Sequence, residues 1–269
     1  MKRYDVVIVG AGPAGATAAY FLARTGIKVG LIDRQTFPRD KVCGDGVVVS
    51  ILNRLERMGL ARWVAENNFN APSELLFSAP NGQALHFAPA DIGSCYGRVI
   101  PRLELDNALA GQAVKAGADL LEGVNLTGLA RPAPDIICLS GAHRHNGPQV
   151  DFQLASKLLI TADGAHASFT RQLGLVKSEP DLVAVRAYYE NVAGADSLLE
   201  MHYDATLAPG YAWIFPLSGG RANVGLGTFV RRSRQRGINL KQTLAEFINQ
   251  NPYAHARLSQ ARMVSPFKG

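Results

Sequence analysis

Three observations predict that this 269-residue chain folds as α/β, with a parallel sheet and a second, β-rich domain inserted into it. The first is the order strand, glycine-rich turn, helix, strand and acid over residues 5–33. The second is a later strand that ends on Asp163-Gly164 and opens a helix, repeating the logic of the first turn. The third is a change to short alternating strands at 72–100 and again after Lys177. Residues 1–71 and 101–176 are therefore assigned to a Rossmann-type nucleotide-binding domain, and 72–100 and 177–269 to a mixed β-sheet substrate domain.

Asp5-Val6-Val7-Ile8-Val9 has the β-branched, apolar composition of a buried parallel strand. It runs into Gly10-Ala11-Gly12-Pro13-Ala14-Gly15, a G-x-G-x-x-G turn. A helix is predicted from Ala16 to Arg24, ended by Gly26. A second strand, Ile27 to Ile32, closes on Asp33. Each part has a physical task in holding a dinucleotide. Gly10 makes the tight turn, Gly12 admits a pyrophosphate to the backbone, and Gly15 lets helix and strand pack closely. The pyrophosphate would lie on the open N–H groups of the helix start, and Asp33 would accept from a ribose hydroxyl. Residues 6–23 are uncharged and follow Lys2 and Arg3, as in a membrane helix, but Gly10, Gly12, Pro13 and Gly15 would break a spanning helix at its middle. A soluble, cytoplasmic protein made without export is expected.

Composition narrows the class. Hydrophobic content of 47% and charged content of 19% exclude a disordered or collagenous chain. Cys43, Cys95 and Cys138 are odd in number and lack metal-like spacing, which points to free thiols in a reducing compartment. The net charge of +6 is partly local, with Arg231, Arg232, Arg234 and Arg236 within six residues. Such a cluster suits nucleotide phosphates or an anionic membrane surface, or is a solvated loop and helix start. Aromatic residues do not interleave with basic ones as in a single-strand nucleic-acid binder, so no nucleic-acid partner is expected.

Beyond Asp33, Phe37-Pro38-Arg39-Asp40-Lys41-Val42-Cys43-Gly44-Asp45-Gly46 reads as a loop just past the strand edge, where open α/β sheets place ligands. By spacing alone Cys43 is a small, partly buried hydrophobe or a ligand-facing thiol. Val47 to Met58 is predicted as a helix ending at Gly59. Glu74–Phe77 and Ala84–Phe87 flank Pro80-Asn81-Gly82 and predict a hairpin. A helix is expected at Arg102 to Ala116, and short strands at 118–121, 136–139 and 150–154. His143 and His145, two residues apart with no third ligand nearby, mark a hairpin tip and no metal site is assigned. The strand from Lys157 to Ala162 ends on Asp163-Gly164, an ordinary helix cap or a ligand-facing acid. Strands follow at 182–189, 198–203, 211–217 and 222–229, then a helix at 240–248. Alternation puts Tyr211, Trp213 and Phe215 on one face of their strand, either as core or as the lining for a flat cofactor or a long apolar substrate.

At this point a family resemblance emerges. Phe37 to Gly44 resembles the P-R-x-K-x-C-G signature of the geranylgeranyl reductase family of flavoproteins, and Tyr211-x-Trp213-x-Phe215-Pro216 followed by Gly225 resembles its Y-x-W-x-F-P motif. Arg102-Leu103-Glu104-Leu105-Asp106 is similar to the R-x-x-L-D element, and Asp163-Gly164 to the D-G motif, of the wider aromatic-hydroxylase-like group. With the glycine turn these motifs span residues 6–225 in the family's order.

The resemblance implies that the first domain binds FAD. Gly10, Gly12, Pro13, Ala14, Gly15, Asp33 and Arg34 would hold the cofactor, with Arg102 near it and Asp163 and Gly164 on the ribityl side. It places Cys43 and Gly44 by the isoalloxazine, Cys43 as a catalytic residue, and Tyr211, Trp213 and Phe215 along the substrate cavity. The reaction it implies is hydrogenation of carbon–carbon double bonds in a prenyl chain, with NAD(P)H or another reductant as electron donor. A prenyl small molecule or lipid is the implied substrate, and a long apolar substrate implies peripheral contact with a membrane. The family's G-D-A-x-G motif has no counterpart before Gly269, so the resemblance is to the family without its C-terminal part. The alternatives are a monooxygenase or halogenase on the same fold and an inactive flavoprotein fragment. Tyr211 and Phe215 stand where the halogenase pattern W-x-W-x-I-P differs. Sequence alone leaves the oligomeric state undetermined.

Overall fold

A computed structural model describes residues 1–92, 96–144, 147–194 and 196–269. Cys95 and His145, considered above as a thiol and as half of a histidine pair, lie outside the described residues. In chain order the elements are β1 (Lys2–Val9), α1 (Pro13–Ala23), β2 (Val29–Ile32), β3 (Gly46–Val48), α2 (Val49–Arg57), α3 (Ala61–Glu66), β4 (Glu74–Ser78) and β5 (Ala84–Phe87). They continue with α4 (Pro89–Ile92), β6 (Gly97–Val99), α5 (Arg102–Lys115), β7 (Asp119–Leu121), β8 (Val124–Ala133), β9 (Ile136–His143), β10 (Val150–Thr161) and α6 (Ser168–Gln172). The last are β11 (Leu182–Glu190), β12 (Leu198–His202), β13 (Tyr211–Leu217), β14 (Arg221–Phe229), α7 (Val230–Arg236), α8 (Leu240–Gln250), α9 (Pro252–Leu258) and β15 (Arg262–Met263).

The chain divides into two compact units, one of residues 1–40, 58–60 and 102–179, the other of 41–57, 61–101 and 180–269. The loop carrying Cys43, the helix α2 and residues 61–71 therefore belong to the second unit, whereas the sequence reading had placed them in the first. Hydrogen bonds tie them there: Asn223 Nδ2 on β14 donates to Cys43 O at 2.8 Å, Ile100 N donates to Asp45 O at 2.8 Å, and Asn70 Nδ2 donates to Asp196 O and Pro216 O, each at 2.7 Å.

In the first unit the described strands form one sheet in the order β7-β2-β1-β10-β9-β8. The pairs β1–β2, β1–β10 and β2–β7 are parallel, as βαβ connections require, and β8–β9–β10 is an antiparallel meander. Its core gathers Val7, Val9, Ile32, Leu126, Leu139, Leu154 and Phe169. The two strands expected at 150–154 and 157–162 are one continuous strand, whose first half pairs β9 and whose second half pairs β1. β8 escaped prediction because Asn, Thr, Gly, Arg and Pro interrupt its apolar pattern.

Tyr4 is buried and its hydroxyl donates to Asp119 Oδ2 at 2.9 Å, tying β1 to β7. Burial first, and then the Asp119 carboxylate, hold its proton well above the ordinary tyrosine range. The folded chain keeps that proton at a pH where the unfolded chain has released it, so stability falls as pH rises past about 10. Tyr4→Phe is expected to flatten that alkaline limb, read from denaturant midpoints across the pH range. An unchanged limb would remove Tyr4 as its source.

In the second unit the described strands form a sheet in the order β15-β11-β14-β13-β12-β4-β5, with a separate β3–β6 pair. β4 and β12 are parallel, and the other neighbours in the large sheet antiparallel. One face, carrying Val185, Ala187, Ile214, Val224 and Leu226, packs on Leu244, Phe247, Ala254 and Leu258 of α8 and α9. The opposite face carries Leu75, Leu199 and Leu217, with half-buried Phe77, Phe87, Tyr96, Met201 and Phe215. The predicted hairpin is present, β4 pairing β5 from Leu75↔Phe87 to Ser78↔Ala84. The predicted helix at 47–58 starts later than expected, because Gly46–Val48 pairs with β6 before α2 begins.

Candidate functional site

The first unit presents a cradle around the start of α1. Gly10 has φ +100°, and a Cβ there would lie 2.3 Å from Ala162 O, so the turn closes tightly on the end of β10. A Cβ on Gly15 would lie 1.8 Å from Gly10 O. Gly12 caps α1 in extended conformation, with no side chain on the helix's first N–H groups and Pro13 following. A Cβ on Gly12 would face Arg39 Nη2 at 3.6 Å and Arg102 Nη2 at 3.9 Å. An open helix start with two guanidinium groups beside it suits a diphosphate, by dipole and by charge.

The acids behind the cradle position those arginines. Buried Asp106 accepts from Arg102 Nε at 2.6 Å and Nη2 at 2.8 Å, and from Arg39 Nη1 at 2.6 Å. Arg39 also stacks over the Phe37 ring at 4.8 Å, and the Phe37 backbone N–H donates to Glu122 at 2.7 Å. Asp33 accepts from Ala11 N at 2.9 Å, Gln35 N at 2.9 Å and Arg39 Nη2 at 3.3 Å. A carboxylate has about four acceptor positions, so one remains for a ribose hydroxyl. The sequence carries Arg39 within a motif without marking it as a cofactor ligand. Its signal was there, a charged residue in a loop just past the strand edge. Arg34, expected from the sequence at the cofactor, is exposed and makes no hydrogen bond or ion pair among the described residues. Arg39→Gln is expected to weaken flavin binding about tenfold, the worth of one charge-assisted contact. Titration of the chain with FAD reads this, and equal affinity would exclude Arg39 from the cradle.

Asp163 follows the end of β10, as expected, and caps α6. Its Oδ2 accepts from Phe169 N at 3.0 Å and Thr170 N at 3.2 Å, and its Oδ1 from the Thr170 hydroxyl. Gly164 has φ +80°, and a Cβ there would meet nothing within 4 Å.

In the second unit Tyr211, Trp213 and Phe215 form a ladder on one face of β13, with ring centroids 6.1 and 6.2 Å apart. Glycines give way to these rings. A Cβ on Gly225 would lie 2.4 Å from Trp213 Cζ2, and one on Gly44 would lie 2.9 Å from Phe215 Cε2. Burial, then Tyr203, Tyr96 and Cys43, hold the Tyr211 hydroxyl above its usual range. Cys43 is a half-buried free thiol.

A polar network anchors the Cys43 loop to this wall. Asp45 is 1% exposed at φ +65°. It accepts from Tyr188 Oη at 2.6 Å and Asn223 Nδ2 at 2.8 Å. Asn223 Oδ1 accepts in turn from Trp213 Nε1 at 3.0 Å. Asp45, Tyr188 and Asn223 were not singled out in the sequence, since nothing local links them.

On the other face of the sheet, Ser78 Oγ lies 2.8 Å from His202 Nδ1, His202 Nε2 lies 3.4 Å from Glu200, and Arg257 lies 3.1 Å from Glu200. The residue types suggest a nucleophilic triad, but the serine, histidine and glutamate are all fully buried, and the group ties β4, β12 and α9 together. Among the described residues no three His, Cys, Asp or Glu side chains cluster as metal ligands, and no helix is long and apolar enough to cross a membrane.

Comparison with known proteins gives these arrangements a context. Residues 3–197 match the model of the FAD binding domain, and residues 182–266 that of the geranylgeranyl reductase catalytic domain. The chain is 33% identical to menaquinone reductase of Mycobacterium tuberculosis over 97% of this chain and 64% of that protein. It is 32% identical to digeranylgeranylglycerophospholipid reductase of Thermoplasma acidophilum over 94% of this chain and 63% of that protein. A crystal structure of a geranylgeranyl bacteriochlorophyll reductase-like protein from Thermoplasma acidophilum superposes with TM-score 0.82 at 28% identity, covering 99% of this chain and 65% of that one. The chain thus spans a little under two thirds of the relatives it matches. With its glycine turn, its cradle and both family models in sequence order, the chain belongs to the FAD-binding-domain flavoproteins, and its residues 182–266 carry the geranylgeranyl reductase catalytic-domain match.

Proposed function

We propose that this chain is the cofactor- and substrate-handling part of an FAD-dependent oxidoreductase that hydrogenates carbon–carbon double bonds of a prenyl chain. The observation that carries the reading is the Tyr211–Trp213–Phe215 ladder, which lies in the segment matching the geranylgeranyl reductase catalytic domain and has Gly225 and Gly44 shaped around its rings. A row of aromatic rings binds an unbranched or methyl-branched apolar chain through dispersion and burial, and fixes its direction without demanding one polar contact. Two relatives are named for reduction of a menaquinone and of a digeranylgeranyl lipid, which supports a prenyl substrate.

When bound, FAD would supply hydride chemistry, with NAD(P)H or another reductant as electron donor. The chain's own residues do the rest. Gly12, Arg39 and Arg102 would hold the diphosphate, Asp33 would hold a ribose hydroxyl, and the ladder would orient the chain and exclude water. Cys43, in the loop fastened by Asp45 and Asn223, faces the same wall and is assigned a catalytic role there.

The test is anaerobic. The flavin-loaded chain, reduced with dithionite, is mixed with a prenyl lipid, and both flavin reoxidation and the product's mass are followed. Gain of two hydrogens per bond supports the reading. Reoxidation only on admitting oxygen, with a hydroxylated or halogenated product, assigns the chain to the oxygenase or halogenase alternative. Cys43→Ala is expected to retain flavin and lose most turnover, and full turnover in that variant removes Cys43 from the mechanism.

A further inference from the structure

The aromatic face of the large sheet in the second unit ends in an exposed apolar rim, and a basic helix begins at that rim. Strand alternation and register place Leu182 opposite Phe229, and Tyr211 opposite Gly227, one row further in. All are on the face that carries Trp213 and Phe215. The Tyr203 ring packs at a tilt against Tyr211, with centroids 5.9 Å apart. These four side chains are open to solvent: Leu182 62%, Phe229 41%, Tyr203 42% and Tyr211 37%. Phe229 is the residue before α7, which carries Arg231, Arg232, Arg234 and Arg236. From 229 to 241 the chain has five cations and no acid, and among the described residues none of the four arginines forms an ion pair. Arg232 is half-buried and donates to Ala205 O at 3.3 Å, whereas Arg231, Arg234 and Arg236 face solvent.

We propose that this end of the sheet docks on an anionic lipid surface, α7 supplying the charge and the Leu182–Phe229–Tyr203–Tyr211 rim entering the interface. Peripheral binding takes both components, buried apolar area and attraction to acidic lipids, and here they adjoin. Tyrosines are suited to the boundary, with an apolar ring and a wet hydroxyl. A polyanion such as nucleic acid would use the arginines but leave the apolar rim without a role. The docked rim is also the open end of the Tyr211–Trp213–Phe215 ladder, so an apolar chain leaving the membrane meets Tyr211 first. That last step rests on the prenyl-substrate reading. The docking itself does not.

Flotation of the full chain with vesicles tests it, without substrate or turnover, so its outcome is independent of the reductase assay. Binding is expected to mixed phosphatidylcholine–phosphatidylglycerol vesicles and to weaken as salt is raised. Replacing Arg231→Gln, Arg234→Gln and Arg236→Gln together should lower partitioning about a hundredfold, while lysine at the same positions retains it. Leu182→Ser with Phe229→Ser should lower it about tenfold. Denaturant midpoints check that the variants remain folded. Equal binding to pure phosphatidylcholine, or partitioning unchanged in the glutamine variant, overturns the proposal. So does tighter binding to an RNA oligomer that Leu182→Ser and Phe229→Ser leave unaffected.

Discussion

Gly15→Ala is expected to abolish flavin retention and to cost about 3 kcal/mol of stability, the upper range for overpacking a rigid site. The added methyl would sit 1.8 Å from Gly10 O, a backbone atom that has nowhere to go. Gly10 is itself pressed against Ala162 O at the end of β10 and donates its N–H to Ile32 O at 2.7 Å. Relief of the clash must therefore push α1 away from the turn, carrying Gly12 and the helix start out of reach of Arg39 and Arg102. Gly26→Ala is the control. Gly26 has φ +83°, and a Cβ there meets nothing within 4 Å. It should cost about 1 kcal/mol through backbone strain alone and leave flavin binding intact. Flavin absorbance after desalting and a urea midpoint separate the two variants. If Gly15→Ala keeps its flavin, close packing of α1 on the turn is not what builds the cradle.

Asp45→Ala is expected to cost about 3 kcal/mol, since it removes a buried charged acceptor from a hydrogen-bonded network. Tyr188 Oη and Asn223 Nδ2 both lose their carboxylate partner, and Asn223 is fully buried. Alanine also tolerates φ +65° poorly. Asparagine at 45 keeps an acceptor oxygen and accepts the left-handed backbone, so it should cost about 1 kcal/mol. The local consequence distinguishes this loop from an ordinary buried contact. Once Asp45 lets go, the Cys43–Gly44 segment keeps the Asn223 bond to Cys43 O but loses its carboxylate anchor to the sheet, and the half-buried Cys43 thiol should react several times faster with a disulfide reagent than in the parent chain. Unchanged thiol reactivity in a folded Asp45→Ala chain would show that the network does not fix the Cys43 loop.

The two predictions differ in how far a reader of the sequence could have gone. The glycine turn, its flanking strands and Asp33 lie within 33 residues, and each is marked by a residue type whose conformational reason is local. The ladder was legible too, because strand alternation alone puts Tyr211, Trp213 and Phe215 on one face. Arg39 was half legible. It sits in a motif, but its value comes from Asp106, 67 residues away, which holds it beside Gly12. Asp163 shows the opposite. Its position was read correctly, and the structure commits both its oxygens to the start of α6.

By itself the sequence determined the βαβ start, the order of the motifs and the aromatic face, because period and glycine chemistry act over a few residues. Only the tertiary structure decided which unit owns the Cys43 loop, since its ties to β11 and β14 cross 143 and 178 residues. It also decided that Leu182, Phe229, Tyr203 and Tyr211 share one end of one sheet face, because strand pairing joins segments that are distant along the chain and sets them in register.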